Sequence, residues 1–378
     1  MKIAVLISGG VDSAVVVDLL YKAGHELTLF YIRIGMDNDE GDCSAEEDIE
    51  ICSLIASRYE LPLKIVSLHN EYWDYVMNYA LESVKKGLTP NPDMMCNKFI
   101  KFGFFEERYG KEFDKTATGH YASIAEEGAR LYLATAKDKV KDQTDFLSAI
   151  TYPQLEHALF PLGEMTKAEV REIAKRISLP NAGRKDSQGI CFLGKIDYRD
   201  FIKRKLGVWE GDIINVATGE VLGKHQGHWL YTIGQRKGLG LAGGPWFIIN
   251  KDAGKNILYV SCGYETPLQY KKDIYLGEIN WISGNPFDGG LPARLFEAEG
   301  DAAGISFKIR HTPEFTPGRL IRKENGWKIE SEAKIQGVAP GQFATIYTPD
   351  TSLCLGSGMI VGSPDESDNI RKRIGHQI

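Results

Sequence analysis

Two cysteines and a carboxylate are the first residues in this chain that could do chemistry. Cys96 closes the run Thr89, Pro90, Asn91, Pro92, Asp93, Met94, Met95, Cys96, with Asn97 and Lys98 after it. The two prolines fix an extended path, and a helix is predicted over residues 99–108. A thiol beside a helix N-terminus and next to Lys98 has a depressed pKa and thiolate character. Asp93, three residues earlier, can serve as acid or base on whatever that loop touches. Cys96 reads equally well as a small buried apolar residue. The second thiol, Cys191, follows Arg184, Lys185 and Gly189 in a basic loop over residues 181–195. Such a thiol is a candidate redox or sulfur-carrying group. Only the fold can bring the two cysteines together.

A third stretch is suited to phosphate. Ser8, Gly9, Gly10, Val11, Asp12 and Ser13 follow an apolar β-branched run at residues 3–7, the pattern of a buried strand. A helical pattern over residues 14–22 comes next and stops at Gly24, a plausible C′ glycine. In a strand-to-helix turn, glycines let a phosphate approach the backbone, and the first helical N–H groups point at it. Ser8 and Ser13 add hydroxyl donors, and Asp12 can hold the Mg²⁺ that accompanies a nucleotide. Neither G-x-x-x-x-G-K-[ST] nor G-x-G-x-x-G is present at this position.

These stretches must be placed by an alternation of strands and helices. Strands are predicted at residues 27–32 and 63–68, and helices at residues 44–59, opened by the S-x-x-E box of Ser44 and Glu47, and 71–86. Thr166 and Glu169 form a second such box. A further strand at residues 116–118 ends in Gly119 and His120. A lone histidine is by default a structural hydrogen-bonder, and Gly119 lies where a nucleotide could approach. Residues 130–135 read as a hairpin strand and residues 141–145 as a polar turn. The expected core is a parallel sheet covered on both faces, with ligands beyond the carboxyl ends of its strands. Past residue 205 short β-type runs punctuated by glycine replace the helical periodicity and predict two small β modules. The expected organisation is α/β: a nucleotide-binding domain over 1–203, a central β domain over 204–270, a C-terminal β-barrel over 271–363 and a polar tail over 364–378.

At 378 residues the chain has room for two or three domains, and its 43% hydrophobic and 25% charged residues are ordinary globular values. It holds no apolar run long enough to span a bilayer and no secretory signal. Six scattered cysteines without a CxxC pair fit a reducing cytoplasm and no metal site. The net charge of −6 speaks against a polyanionic partner only in the mean. Residues 195–205 carry a net +3 and residues 308–323 a net +4, and a polyanion reads such patches. Each run reads equally as a solvated face.

The phosphate loop resembles that of the ATP-pyrophosphatase (HUP-like) enzymes. With it, residues 89–98, 117–121, 141–143, 185–194 and 232–240 make the whole chain similar to the tRNA-specific 2-thiouridylase family, which places sulfur on C2 of the wobble uridine. The resemblance implies Mg²⁺-ATP as substrate, with no permanent cofactor, on Leu6, Ile7, Ser8, Gly9, Gly10, Val11, Asp12, Ser13, Tyr31 and Gly119. It implies Asn91, Pro92 and Asp93 at the target base, and Cys96 as nucleophile and resolving thiol. Cys191 would carry a persulfide, and a Cys96–Cys191 disulfide would form in turnover. It further implies tRNA contacts, at the anticodon stem-loop, from His120, Lys141, Asp142, Gln143, Arg310, His311 and Gln342. The implied partner is a sulfur-donor protein, a cysteine desulfurase or a sulfur-relay carrier. Tyr31 stands where the family often has methionine, with Met36 five residues on, and His311 where tyrosine is common. Two other readings explain less: an amidotransferase-type synthetase gives no role to the cysteines, and a non-catalytic RNA-binding protein gives none to Asp12 or Asp93.

Overall fold

The apolar run at the N-terminus becomes strand β1 (Lys2–Leu6), whose Ile3, Ala4 and Val5 are fully buried, as a strand covered on both faces requires. The computed structural model describes residues 1–35, 43–185, 198–264, 266–289, 291 and 295–363, apart from the side chains of Cys43 and Ser44. Met36, Cys191 and residues 186–197 therefore lie outside the described residues, as does the tail expected past residue 363. Beside β1 lie β2 (Glu26–Arg33) and β3 (Leu63–Ser67) on one side, and β4 (Lys115–Ala117) and β7 (Ala158–Leu159) on the other. The order is β3-β2-β1-β4-β7, with every pair parallel. The order reverses at β1, which makes its carboxyl end the crevice where open α/β sheets take ligands. Residues 8–13 leave the sheet there.

The helix predicted to follow that loop spans Val11–Lys22 and ends with Gly24 at φ 75°. The second spans Cys43–Arg58, so Ser44 lies inside the first turn instead of capping it. The third begins earlier than the periodicity suggested and runs through His69–Tyr72, a π-turn at Trp73–Met77 and Asn78–Lys85. A larger departure concerns Cys96. The helix expected after it begins before it, at Pro92, and continues through a π-helical stretch at Cys96–Phe104 to Phe105–Arg108. Asn91 caps that helix by accepting the Met94 N–H at 3.2 Å, and Pro92 takes the first helical position, where its missing donor costs nothing. Pro92 thus starts a helix where an extended path was expected.

Past residue 205 the central module is a four-stranded sheet. It consists of β8 (Gly211–Asn215), β9 (Val221–His225), β10 (Trp246–Asp252) and β11 (Ile257–Cys262), in the order β10-β11-β8-β9. One apolar core runs from the α/β sheet into it, from Phe30 and Ile100 through Phe201 to Ile213, Ile248 and Leu258.

The C-terminal module is a closed antiparallel barrel. Strands β12 (Tyr270–Trp281), β14 (Ala302–Lys308), β15 (Thr316–Lys323), β16 (Gly326–Gln336), β17 (Phe343–Tyr347) and β18 (Leu353–Val361) form it, and the short β13 (Ala298–Glu299) pairs with β14. The ring closes where β12 pairs with both β16 and β18. The predicted hairpin, β5 (Ser123–Glu127) and β6 (Arg130–Ala134), joins this sheet from the N-terminal half through Leu133 opposite Cys354 and Ala134 opposite Leu353. Among the described residues no helix is long and apolar enough to cross a membrane.

Candidate active site

The phosphate-loop sequence folds into a strand-to-helix turn. Gly9 takes φ 71°, and Gly10 sits at the N-cap of the Val11–Lys22 helix without contributing a side-chain cap. Ser13 Oγ closes the turn by accepting the Ser8 N–H at 3.2 Å and donating to the Gly10 carbonyl at 3.1 Å. Orphan N–H groups and the positive end of the helix dipole converge on this turn, the physical basis of anion binding. Gly119, just past β4, faces it. A methyl group there would lie 2.9 Å from the Ser13 nitrogen, so glycine keeps that donor uncovered.

Sequence reasoning missed the cations around this turn. Lys167 Nζ donates to both carboxylate oxygens of Asp12 at 2.7 Å, and Tyr121 Oη donates to the same carboxylate at 2.9 Å. The signal was half visible: the Thr166–Glu169 capping box forms as expected and sets Lys167 in the first helical position. What lies opposite that position is a tertiary fact. Arg184 Nη1 donates to the Gly9 carbonyl at 3.1 Å and pairs with Asp48 at 2.5 Å, while Asn181 Nδ2 donates to the same carbonyl at 2.8 Å. The start of the loop that carries Cys191 is thereby tied to the phosphate loop. Beneath it, burial pushes the Cys52 thiol up to about 12, which leaves it protonated and unreactive.

Asp93 and Cys96 occupy the second part of the site. The Asn91-capped helix puts Asn91, Pro92 and Asp93 on the wall of an open cleft of 590 Å³. The barrel contributes Arg310, His311 and Gln342 to the same cleft. Six residues named from the sequence thus line one space, although more than 200 residues separate the two groups in the chain. The barrel is held in place here by the Thr89 N–H, which donates to the Pro340 carbonyl at 2.8 Å. His311 is held by the Asp145 carboxylate at 3.1 Å and stacks on Phe146 at 4.7 Å between ring centres. Cys96, one turn along the helix from Asp93, is completely buried.

The remaining sequence-named residues lie deeper. His120 is buried, hydrogen-bonded to Thr118 Oγ1 at 2.8 Å, and 3.5 Å from Lys101 Nζ. Burial first, and the Lys101 charge second, hold its imidazole well below its ordinary pKa and therefore neutral. Asp142 is buried too, accepts the Ala136 N–H at 2.8 Å, and lies 3.7 Å from the buried ammonium of Lys308. Gln143 accepts the Tyr121 N–H at 3.0 Å, while Lys141 is half-buried. Tyr31 belongs to the core of the α/β sheet at 7% exposure. Leu6, Ile7 and Val11 pack around the turn. Among the described residues no group of three or more His, Cys, Asp or Glu could hold a metal ion.

Three family models match the chain: a tRNA methyl transferase HUP domain over residues 1–195, a tRNA methyl transferase PRC-barrel domain over 199–262 and an aminomethyltransferase β-barrel domain over 271–360. The tRNA-specific 2-thiouridylase MnmA of Parabacteroides distasonis is 58% identical over 363 residues, covering 96% of this chain and 99% of that one. The protein of the same name from Porphyromonas gingivalis is 56% identical over 362 residues, covering 95% and 99%. Among solved structures, a 4-thiouridine synthetase in complex with RNA and ATP aligns with 51% of this chain and 45% of its own. It does so at 20% identity and a TM-score of 0.34, too slight a likeness to argue from.

Proposed function

The chain belongs to the tRNA-specific 2-thiouridylase family, the sulfurtransferases that act on tRNA, and from that membership we propose that it replaces O2 of the wobble uridine, position 34, with sulfur. The observation that carries the reading is the shared cleft, which Asn91, Pro92 and Asp93 line together with Arg310, His311 and Gln342. A base taken out of its stack needs a pocket with polar groups for its edge, and the anticodon arm needs cationic groups beside that pocket.

In the proposed reaction, Mg²⁺-ATP lies on the turn of residues 8–13, and uridine O2 attacks the α-phosphorus. Pyrophosphate leaves, and O2 becomes part of a good leaving group. Lys167 and the Ser13 N–H face the phosphates, and the Asp12 carboxylate, paired with Lys167 in this structure, takes the accompanying cation. A sulfur-donor protein, a cysteine desulfurase or a sulfur-relay carrier, loads Cys191 with a persulfide. The terminal sulfur forms a bond to C2, AMP departs with the former O2, and the Cys96 thiolate takes the remaining Cys191 sulfur into a disulfide. A two-electron reductant then restores both thiols. Asp93 serves as general acid and base at the uridine. Cys96 is completely buried here, so the proposal requires its helix to shift when tRNA enters, a conformational step of the kind that gates many enzymes.

Thiolation of tRNA by the purified protein with Mg²⁺-ATP and a persulfide donor, read by mass spectrometry of digested tRNA, tests this. Sulfur at C2 of uridine 34 with wild type, and none with Cys96→Ser or Cys191→Ser, is the expected outcome. Sulfur that survives Cys191→Ser would remove the persulfide from that residue. Pyrophosphate release driven by ammonia and a small acid, with no thiolated tRNA, would replace the reading with a synthetase.

A further inference from the structure

The loop of residues 232–240 has no role in the chemistry above, yet it carries three left-handed glycines, Gly234 at φ 86°, Gly238 at φ 82° and Gly240 at φ 68°, the first two of which lie near arginines. Gly238 leaves room for Arg199, and Gly234 packs against Gly337, which in turn leaves room for Arg310. A methyl group on Gly238 would stand 3.0 Å from Arg199 Nη1, and one on Gly234 would stand 3.5 Å from Arg310 Nη2 and 2.9 Å from the Cα of Gly337. Arg199 comes from the Tyr198–Leu206 helix and Arg310 from just beyond β14. Both side chains are held. Arg199 lies over the Tyr231 ring, 5.1 Å from its centroid, and donates to the Tyr231 hydroxyl at 3.1 Å. Arg310 donates to the Gly337 carbonyl at 2.6 Å. Both are exposed and both line the 590 Å³ cleft, in which Asp93 is the one acidic lining residue among the described residues.

A second observation points the same way. Tyr198 Oη, Trp229 Nε1 and Thr89 Oγ1 all belong to residues of the cleft wall, and each is buried without a hydrogen-bond partner among the described residues. Unsatisfied polar groups of this kind call for a ligand or a rearrangement. Holding a guanidinium over an aromatic ring in advance suits recognition of a phosphate anion.

We propose that Arg199 is a phosphate contact for the tRNA backbone, held beside the glycine loop of residues 232–240 on the wall of the cleft that Arg310 also lines, so that both guanidiniums hold the strand that carries the target nucleotide. The inference rests on the tRNA reading above and adds a residue and a geometry to it. Arg199 is a positioning residue: it holds the strand and touches none of the reacting atoms.

The test is the salt dependence of tRNA binding by the full-length protein, measured from about 50 to 200 mM salt. Arg199→Ala is expected to weaken binding and to reduce the slope of log K against log salt by about 0.7–1, with Arg199→Lys keeping the wild-type slope. A merely structural contact with Tyr231 would lower the melting temperature and leave the slope unchanged. That result, or a slope lost equally in the alanine and lysine variants, would overturn the proposal while leaving the tRNA reading intact. Wild-type protein that does not bind tRNA at the low-salt end of this range would overturn the tRNA reading itself.

Discussion

At the scale of single residues, chemistry was legible in the sequence wherever a residue type is unusual in its surroundings, and illegible wherever a partner comes from far away. Cys96, Asp93 and the serines of residues 8–13 stand out by type and spacing. Lys167 does not, because a lysine at the start of a helix is ordinary in sequence. Its meaning comes from the 2.7 Å contacts with Asp12. A cation pre-positioned beside a phosphate turn stabilises the charge that develops on the leaving pyrophosphate. Lys167→Met is expected to slow tRNA-dependent pyrophosphate release by about 10²–10³-fold, with Lys167→Arg retaining part of the rate. Rapid-quench measurement of pyrophosphate checks this, and a methionine variant within a few-fold of wild type would remove Lys167 from the phosphate site.

At the scale of elements, the strands and most helices were legible because their apolar periodicity is strong. The helix that carries Cys96 was not, since a proline pair reads as an extended path unless its asparagine is recognised as a cap. Asn91 and Pro92 open the helix, which buries the thiol at its fifth position instead of leaving it at an exposed N-terminus. The phosphate turn shows the opposite case, in which the element formed where expected and its tight constraint lies on a neighbour. An added Cβ at Gly119 would meet the Ser13 nitrogen at 2.9 Å. Losing a donor to a charged phosphate costs about 1.5–3 kcal/mol, so Gly119→Ala is expected to weaken ATP binding by roughly 10–100-fold. Calorimetric titration with a non-hydrolysable nucleotide reads this directly. Unchanged affinity would mean that the phosphates do not use that N–H.

At the scale of the whole molecule, the sequence indicated an α/β sheet followed by β modules, but gave no sign of how they are joined. The joints are polar as well as apolar. Asp142, in the turn after the hairpin, and Lys308, on the barrel, lie 3.7 Å apart with 1% of each side chain exposed, and Lys308 Nζ also sits 3.9 Å from the Phe315 ring centre. Removing one partner of a buried pair leaves a charge without compensation, whereas removing both can be neutral. Asp142→Asn is therefore expected to cost about 3–5 kcal/mol, and the further change Lys308→Met to recover most of it. Denaturant titration of the single and double variants decides the matter. A double variant no more stable than Asp142→Asn would show that the two residues act independently.

The pairing of β6 with β18 also sets an order of events in time. Leu133 and Ala134 offer a sheet edge whose partner, Leu353 with Cys354, lies almost at the other end of the chain. At about 5–20 residues per second of synthesis, the roughly 220 intervening residues take about 10–45 s to emerge. For that interval the nascent chain displays an unpaired apolar edge beside a nearly finished nucleotide site. A ribosome stalled short of residue 353 would hold a chain with a folded phosphate turn but without the closed barrel that carries Arg310, His311 and Gln342.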